Sequence, residues 1–260
     1  MESCDAAVIL AAGKGIRMRS KTTKLLHPLM GKPILSYLIE ATSFFKNRVF
    51  VVQEGCKEIC DLIGNRGKIA FQKGVLGTGN ALFCAKPFIK GDFVVIPGDV
   101  PFVSKKTIKR LINLHLKEKA DATILAVRKR EPKGYGRIIK SGVGSQESGV
   151  GSQESGVGSQ ESGVRIVEEK EASKKEKEIN LVNSGVYCFN EKIFDCLERL
   201  DNKNKQGEYY LTDAFKMLSD MEKKVSLLET EDEMEVMGIN TRDELAIVED
   251  FLRRRKKNTR

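Results

Sequence analysis

Val8-Ile9-Leu10-Ala11-Ala12-Gly13-Lys14-Gly15-Ile16-Arg17-Met18, with Lys24 a short way on, decides the fold. Ala6 to Leu10 are apolar without alternation, which predicts a strand of a parallel sheet covered on both faces. The run then ends in a turn with almost no side-chain bulk. Ala11, Ala12, Gly13 and Gly15 let a ligand approach the backbone and leave N–H groups for an anion, while Arg17 and Lys24 add mobile positive charge. The stretch reads as a phosphate-binding loop after the first strand of an α/β domain. It is not a Walker A loop, which needs Gly-x4-Gly-Lys-Ser/Thr, and the third glycine of a dinucleotide fingerprint would fall at Met18.

Composition bounds the answer. The 260 residues are 40% hydrophobic and 31% charged, suiting one globular domain over 1–260 with an ample core. The formal charge of +9 favours anionic ligands, but no aromatic-interleaved basic stretch accompanies it, so no nucleic-acid partner is expected. Six cysteines occur without a Cys-x2-Cys pair, and Cys56 and Cys60 lie four apart with no second pair at metal-site spacing. They read as free thiols rather than a zinc site. With neither a signal peptide nor a membrane span expected, the setting is cytoplasmic.

Outward from the loop, strands alternate with helices, which predicts an α/β fold with a mixed, mostly parallel sheet. Strands are expected at 48–53, 68–72, 92–96 and 122–127. Helices are expected at 33–45, 56–63, 78–85 and from the Ser104 cap to about Lys119. The second half predicts strands at 135–140, 164–168, 182–189 and 225–228, helices at 191–199 and 211–220, and a basic C-terminal helix at about 241–260 capped by Thr241. Between them, Ser-Gly-Val-Gly-Ser-Gln-Glu occurs in three copies from Ser141 and begins again at Ser162. One Val per copy makes no core and Gly opposes helix, so residues 141–163 read as a flexible hairpin extension; a small stacked β structure is the alternative.

Ligands in such sheets sit at the carboxyl ends of the strands, where the Gly13 loop and Asp99 both fall. Asp99 follows Val94-Val95-Ile96-Pro97-Gly98, and a carboxylate facing a phosphate loop is a natural Mg2+ ligand, against the plainer role of a turn cap. Lys24 and Arg17 are the cations that would stabilise charge building on phosphoryl oxygens. Gln72 and the Gly77-Thr78-Gly79 turn suit a flat base edge, since an amide both donates and accepts. Gly136, Glu168 and Asn183 suit a polyhydroxyl ligand. Asn240 offers a carbonyl oxygen to a metal, or caps the last helix. His27 and His115 support neither a Ser-His-Asp triad nor a zinc site.

With Leu76-Gly77-Thr78-Gly79, Gly98-Asp99-Val100-Pro101, Gly134-Tyr135-Gly136-Arg137, Asn183-Ser184-Gly185, Gly207-Glu208-Tyr209-Tyr210-Leu211-Thr212-Asp213 and Gly238-Ile239-Asn240 beside the opening stretch, the chain resembles the bacterial N-acetylglucosamine-1-phosphate uridylyltransferases in their uridylyltransferase domain. The resemblance implies a Rossmann-like nucleotidyltransferase fold and transfer of UMP from UTP to N-acetylglucosamine 1-phosphate with release of pyrophosphate. It implies that Leu10, Ala12, Gly13, Gln72, Gly77 and Thr78 hold the nucleotide, that Arg17 and Lys24 engage the triphosphate, that Asp99 and Asn240 hold Mg2+, and that Gly136, Glu168 and Asn183 hold the sugar. Two positions depart from the family pattern: Pro97 where a tyrosine is common, and Asn80 where a histidine is common. They leave open another sugar or nucleotide; a non-catalytic nucleotide-sugar sensor on the same fold is the alternative of a different class. The hexapeptide-repeat acetyltransferase of the two-activity members has no counterpart in this sequence, so acetyl transfer is not expected.

Overall fold

The computed structural model describes residues 3–13, 15–20, 22–140 and 163–258. Its strands are β1 (Ala6–Ala11), β2 (Pro28–Leu29), β3 (Lys32–Pro33), β4 (Asn47–Gln53), β5 (Lys68–Gln72), β6 (Phe93–Pro97), β7 (Ala122–Arg128), β8 (Arg137–Lys140), β9 (Val164–Val167), β10 (Leu181–Phe189) and β11 (Val225–Thr230). Its α-helices are α1 (Ile34–Ala41), α2 (Lys57–Ile63), α3 (Thr78–Phe83), α4 (Lys105–Glu118), α5 (Lys174–Lys177), α6 (Ile193–Leu197), α7 (Asp213–Asp220) and α8 (Arg242–Asn258).

The central sheet runs β11-β7-β10-β6-β1-β4-β5, with β8 and β9 branching from β10. Pairing is parallel through β6, β1, β4 and β5 and again between β11 and β7. β10 runs antiparallel to its neighbours β6, β7 and β8. The continuous apolar run of β1 has a direct explanation: Ala6 and Val8 face one core with α3, α6 and α7, while Ala7, Ile9 and Ala11 face the other with α1, α2, α4 and α8. Both faces of the strand are dry, so no polar alternation is tolerated. In β10 the register with β7 slips between Asn183 and Tyr187. Ser184 fills the bulge, its hydroxyl donating to Leu125 O at 2.6 Å and accepting from Val186 N at 3.0 Å. Gly185 follows at φ +78, and a side chain there would meet Pro97 Cγ at 2.8 Å. Such bulges re-aim neighbouring side chains, here Asn183.

The expected elements appear with shifts at their ends. The helix expected to Phe45 stops at Ala41, and that expected from Leu211 begins at Asp213. Ser104 caps α4 by accepting from Thr107 N. Thr241 caps α8 through Glu244 N at 3.1 Å, and Glu244 returns the bond to Thr241 N at 2.9 Å. The β2–β3 hairpin was not expected, and neither was α5 with its Ser173–Glu176 capping box. The seven-residue repeats lie outside the described residues, but Lys140 and Val164 on either side are paired across β8 and β9, so the insertion leaves from a hairpin end. All six cysteines are free thiols, and no helix among the described residues is long and apolar enough to cross a membrane.

One buried group gives the fold a pH limit. His115 on α4 is 1% exposed, with Nδ1 2.9 Å from Thr123 Oγ1. Its Nε2 is 3.8 Å from Asp92 Oδ2, too far for a hydrogen bond. Burial therefore wins, and the pKa falls to about 4, with nearby Asp121 opposing weakly. The unfolded chain takes up a proton at this residue near pH 6.5 that the folded chain refuses. Stability is present above that pH and is lost as pH falls toward the folded value, by about 3 kcal/mol in all. Urea unfolding between pH 7 and 4 is expected to show this decline in the native sequence and a flatter profile in His115→Leu.

Candidate active site

At the carboxyl ends of β1 and β6, residues far apart in sequence converge on one pair of oxygens. Lys24 sits in a 3-10 turn, Lys24–Leu26, and is buried. Its Nζ lies 2.6 Å from Asp99 Oδ2 and 3.0 Å from Asn240 Oδ1. Arg17, exposed on the turn Ile16–Met18, donates from Nη2 to the same Asn240 Oδ1 at 2.9 Å. The backbone fixes this meeting. Gly98 N donates to Leu10 O at 2.8 Å, joining the β6 turn to the β1 loop, and Ile239 N donates to Asp99 O at 2.8 Å, joining it to the segment before α8. Gly15 adopts φ +60, and a side chain there would run into the Lys24 stem. Arg242, unremarked in the sequence, donates to Met18 O and Arg19 O, both at 3.1 Å, and so anchors the turn that carries Arg17.

Thr241, not Asn240, is the helix cap, and this leaves the Asn240 amide oxygen facing the two cations. The backbone N–H of Asn240 donates to Glu244 Oε2 at 2.6 Å, which holds the residue at the helix mouth. Gly13 is exposed, with nothing within 4 Å of where a Cβ would stand. Ala12 is buried beneath the loop, and Leu10 is part-buried at the strand's end.

The second loop is held from behind. Gly77 at φ +94 presses on the backbone of Tyr209, where a Cβ would fall 2.6 Å from the carbonyl oxygen. Tyr209 N donates to Leu76 O at 2.8 Å, Gly79 N donates to Tyr209 O at 2.8 Å, and Leu211 N donates to Thr78 Oγ1 at 3.2 Å. The 207–212 segment is therefore a strap across the Gly77 turn, and the Thr78 hydroxyl works as its anchor. Gln72 is 2% exposed; its Nε2 donates to Gly77 O at 3.1 Å and to Asn80 Oδ1 at 2.9 Å. Its donor end thus shapes the loop rather than facing outward for a base.

The strap also reaches the third group. Thr212 Oγ1 donates to Glu168 Oε1 at 2.9 Å. Burial raises the Glu168 pKa; the Thr212 bond works against this, while Asp213 and Glu208 add to it. Asn183 N donates to Gly136 O at 2.9 Å, and Asn183 Nδ2 donates to the buried Tyr187 hydroxyl at 2.7 Å. Arg137, 1% exposed, pairs with Glu169 at 2.8 Å and donates to Tyr135 O and Lys177 O, bracing the loop before β8 and α5. Thr212, Tyr187 and Asn80 were not singled out for these contacts from sequence. Thr212 has its partner 44 residues away, Tyr187 meets Asn183 only across the bulge, and Asn80 meets Gln72 only through the fold of the Gly77 turn, so no local pattern marks them.

Three groups result: a cation-and-carboxylate centre, a strapped glycine turn, and a carboxylate–amide group that the same strap reaches. Comparison with known proteins gives the family and the fold. The Nucleotidyl transferase family profile matches residues 6–234. Bifunctional protein GlmU of Acetivibrio thermocellus is 39% identical over 249 residues, covering 94% of this chain and 50% of that protein. The protein of the same name from Clostridioides difficile is 38% identical over 254 residues, covering 96% of this chain and 52% of its own length. The chain thus spans about half the length of these curated relatives. A UDP-glucose pyrophosphorylase solved with UDP-glucose superposes with a TM-score of 0.71 at 16% identity, over 97% of this chain and 100% of that one. An inositol-1-phosphate CTP transferase from T. maritima gives 0.70 at 16% identity, over 95% and 94%. The likeness to these structures is one of fold. The family match over most of the chain says more: the protein belongs to the nucleotidyl transferase family.

Proposed function

We propose that the protein transfers UMP from UTP to N-acetylglucosamine 1-phosphate, releasing pyrophosphate, as a cytoplasmic enzyme. The observation that carries the reading is the convergence of Lys24, Arg17, Asp99 and Asn240 at the mouth of the Gly13 loop. A sugar phosphate oxygen attacking the α-phosphorus in line, with pyrophosphate leaving, needs no protein nucleophile. It needs position and neutralised charge. Arg17 and Lys24 supply the cations, and the side-chain-poor loop supplies backbone N–H groups. Glu168, with Asn183 beside Gly136, supplies acceptors and donors for the sugar.

Mg2+ fits the donor set. Asp99 Oδ2 and Asn240 Oδ1 are hard oxygens already drawn to one ammonium. No group of three or more His, Cys, Asp or Glu gathers as a metal cage among the described residues. That matches an ion usually held by one or two protein oxygens, with phosphates and water completing its shell. When bound there, Mg2+ supplies further neutralisation of the triphosphate charge.

A second reading, the same transfer with a different sugar or nucleotide, is favoured by Pro97 seated against Gly185 and by Asn80 bonded to Gln72. One assay separates these: pyrophosphate release from each NTP with a panel of sugar 1-phosphates, with an EDTA control. Metal-dependent release with UTP and N-acetylglucosamine 1-phosphate preferred is the expected result. Preference for another pair moves the assignment to the second reading, and no release with any pair leaves a nucleotide-sugar sensor. Gly13→Ala adds a steric check. The new methyl meets no protein atom within 4 Å, so thermal stability is expected to stay put. KM for UTP is expected to rise about tenfold, because the methyl occupies the path by which a phosphate reaches the backbone.

A further inference from the structure

Asn240 Oδ1 accepts from two cations at once, Lys24 Nζ at 3.0 Å and Arg17 Nη2 at 2.9 Å. A carbonyl oxygen has two lone pairs, so both are engaged. Lys24 Nζ also holds Asp99 Oδ2 at 2.6 Å, and the side chains of this pair are only 10% and 20% exposed. Shielded from water, it is firmer than a loose surface contact. The oxygens proposed above for the metal are therefore the seats of the protein's own cations, and those cations are the groups proposed above for the triphosphate.

We propose that Lys24 and Arg17 are resident counter-ions of the Asp99–Asn240 pair, and that a divalent cation gains these oxygens only when the triphosphate draws the two side chains away. Metal binding is then gated by the nucleotide. The inference rests on Asp99 and Asn240 being the metal pair. An amide oxygen with both lone pairs engaged has none to give a metal, and the Lys24 ammonium 2.6 Å from Asp99 Oδ2 repels a divalent charge placed on that same oxygen. Release has a route. Arg17 is exposed, and the Lys24 ammonium rides on a flexible four-carbon stem. Other charged groups nearby stay where they are: Glu244 holds Asn240 N and Thr241 N, and Arg242 holds the carbonyls of Met18 and Arg19. By linkage, a nucleotide that opens the pair to metal must itself bind more tightly once the metal is present.

The test uses Mn2+ alone, without nucleotide, and follows unbound Mn2+ by its electron paramagnetic resonance signal, so no turnover is read. Native protein is expected to bind Mn2+ weakly and Lys24→Met about tenfold more tightly or better. Arg17→Met, which vacates one lone pair but leaves Lys24 on Asp99, is expected to gain about two- to threefold. Arg17 is exposed, so this variant reports even where Lys24→Met fails to fold. Lys32→Met removes a positive charge outside the site, from an exposed pair with Glu40, and is expected to change nothing. No gain in Lys24→Met or Arg17→Met overturns the gating while leaving UMP transfer to the pyrophosphate assay. An equal gain in Lys32→Met also overturns it, since the cause would then be the general field. Adding Asp99→Asn to Lys24→Met is expected to erase the gain. If the gain survives, the metal pair is wrongly assigned, and the gating falls with it.

Discussion

Asp99→Ala is expected to lower pyrophosphate release about a thousandfold while the protein stays folded. The size follows from what the carboxylate holds together. Among the described residues it is the one formal negative charge bonded to Lys24 Nζ. Removing a preorganised electrostatic partner of a phosphoryl-transfer centre costs about two to three powers of ten, and loss of a metal oxygen adds to that. The cost in stability is much smaller. Truncating one member of a fully buried ion pair costs about 3–5 kcal/mol, but here the two side chains keep 10% and 20% exposure and Lys24 retains Asn240 Oδ1. About 1–2 kcal/mol is expected, a fall of about 2–6 °C in Tm, with the backbone bond from Ile239 N unaffected. Far-UV circular dichroism and a thermal melt beside the assay separate the two effects. A variant with near-native turnover would remove Asp99 from the centre, and a variant that is merely unfolded would show in the melt.

The parts of this protein legible in its sequence are those in which one physical demand dominates a continuous stretch. Both faces of β1, β6 and β7 are buried, so their apolar runs could be nothing but interior strands. Ser104 and Thr241 were readable as caps because a hydroxyl before a helical pattern has a specific use. The β2–β3 hairpin has two residues per strand, too few for a period, although Met30 at φ 51 and Gly31 at φ 86 make its turn. In the site, types and positions were legible but orientations were not. Gln72 was read as a base-facing amide, yet its nitrogen turns inward to Gly77 and Asn80. Asn240 and Thr241 are both good caps on paper, and only the packed helix mouth assigns the cap to one and leaves the other facing Lys24. Thr212 lies 44 residues from its partner Glu168, a pairing that only the strap over the Gly77 turn creates.

That strap makes Gly77→Val the more damaging of two valine substitutions in the glycine turns, and Gly74→Val is its control. Both glycines have positive φ, +94 at Gly77 and +72 at Gly74, so both variants carry the backbone penalty of a β-branched residue, about 1–2 kcal/mol. They differ in what the side chain meets. A Cβ at Gly74 has nothing within 4 Å, whereas one at Gly77 stands 2.6 Å from Tyr209 O and 2.9 Å from both Tyr209 N and Glu208 Cβ. These neighbours are mostly backbone and cannot swing aside. The strap must lift, breaking the bonds between Tyr209 N and Leu76 O and between Gly79 N and Tyr209 O. Overpacking of this kind adds about 1–3 kcal/mol, so Gly77→Val is expected to lose about 2–5 kcal/mol in all, or about 4–15 °C in Tm. Its effect on turnover is expected to reach both substrates. A lifted strap frees the Thr78 hydroxyl from Leu211 N on the proposed nucleotide side and withdraws Thr212 from Glu168 on the proposed sugar side. With its hydroxyl partner gone, Glu168 keeps the burial that raises its pKa and loses the bond that opposes it, so its carboxylate is harder to maintain. A fall of about a hundredfold in kcat/KM, with KM raised for both UTP and the sugar phosphate, is therefore expected of Gly77→Val. Gly74→Val should lose only the smaller stability increment. A rise in KM for UTP alone would show that the strap serves the nucleotide loop and that Thr212 does not position Glu168.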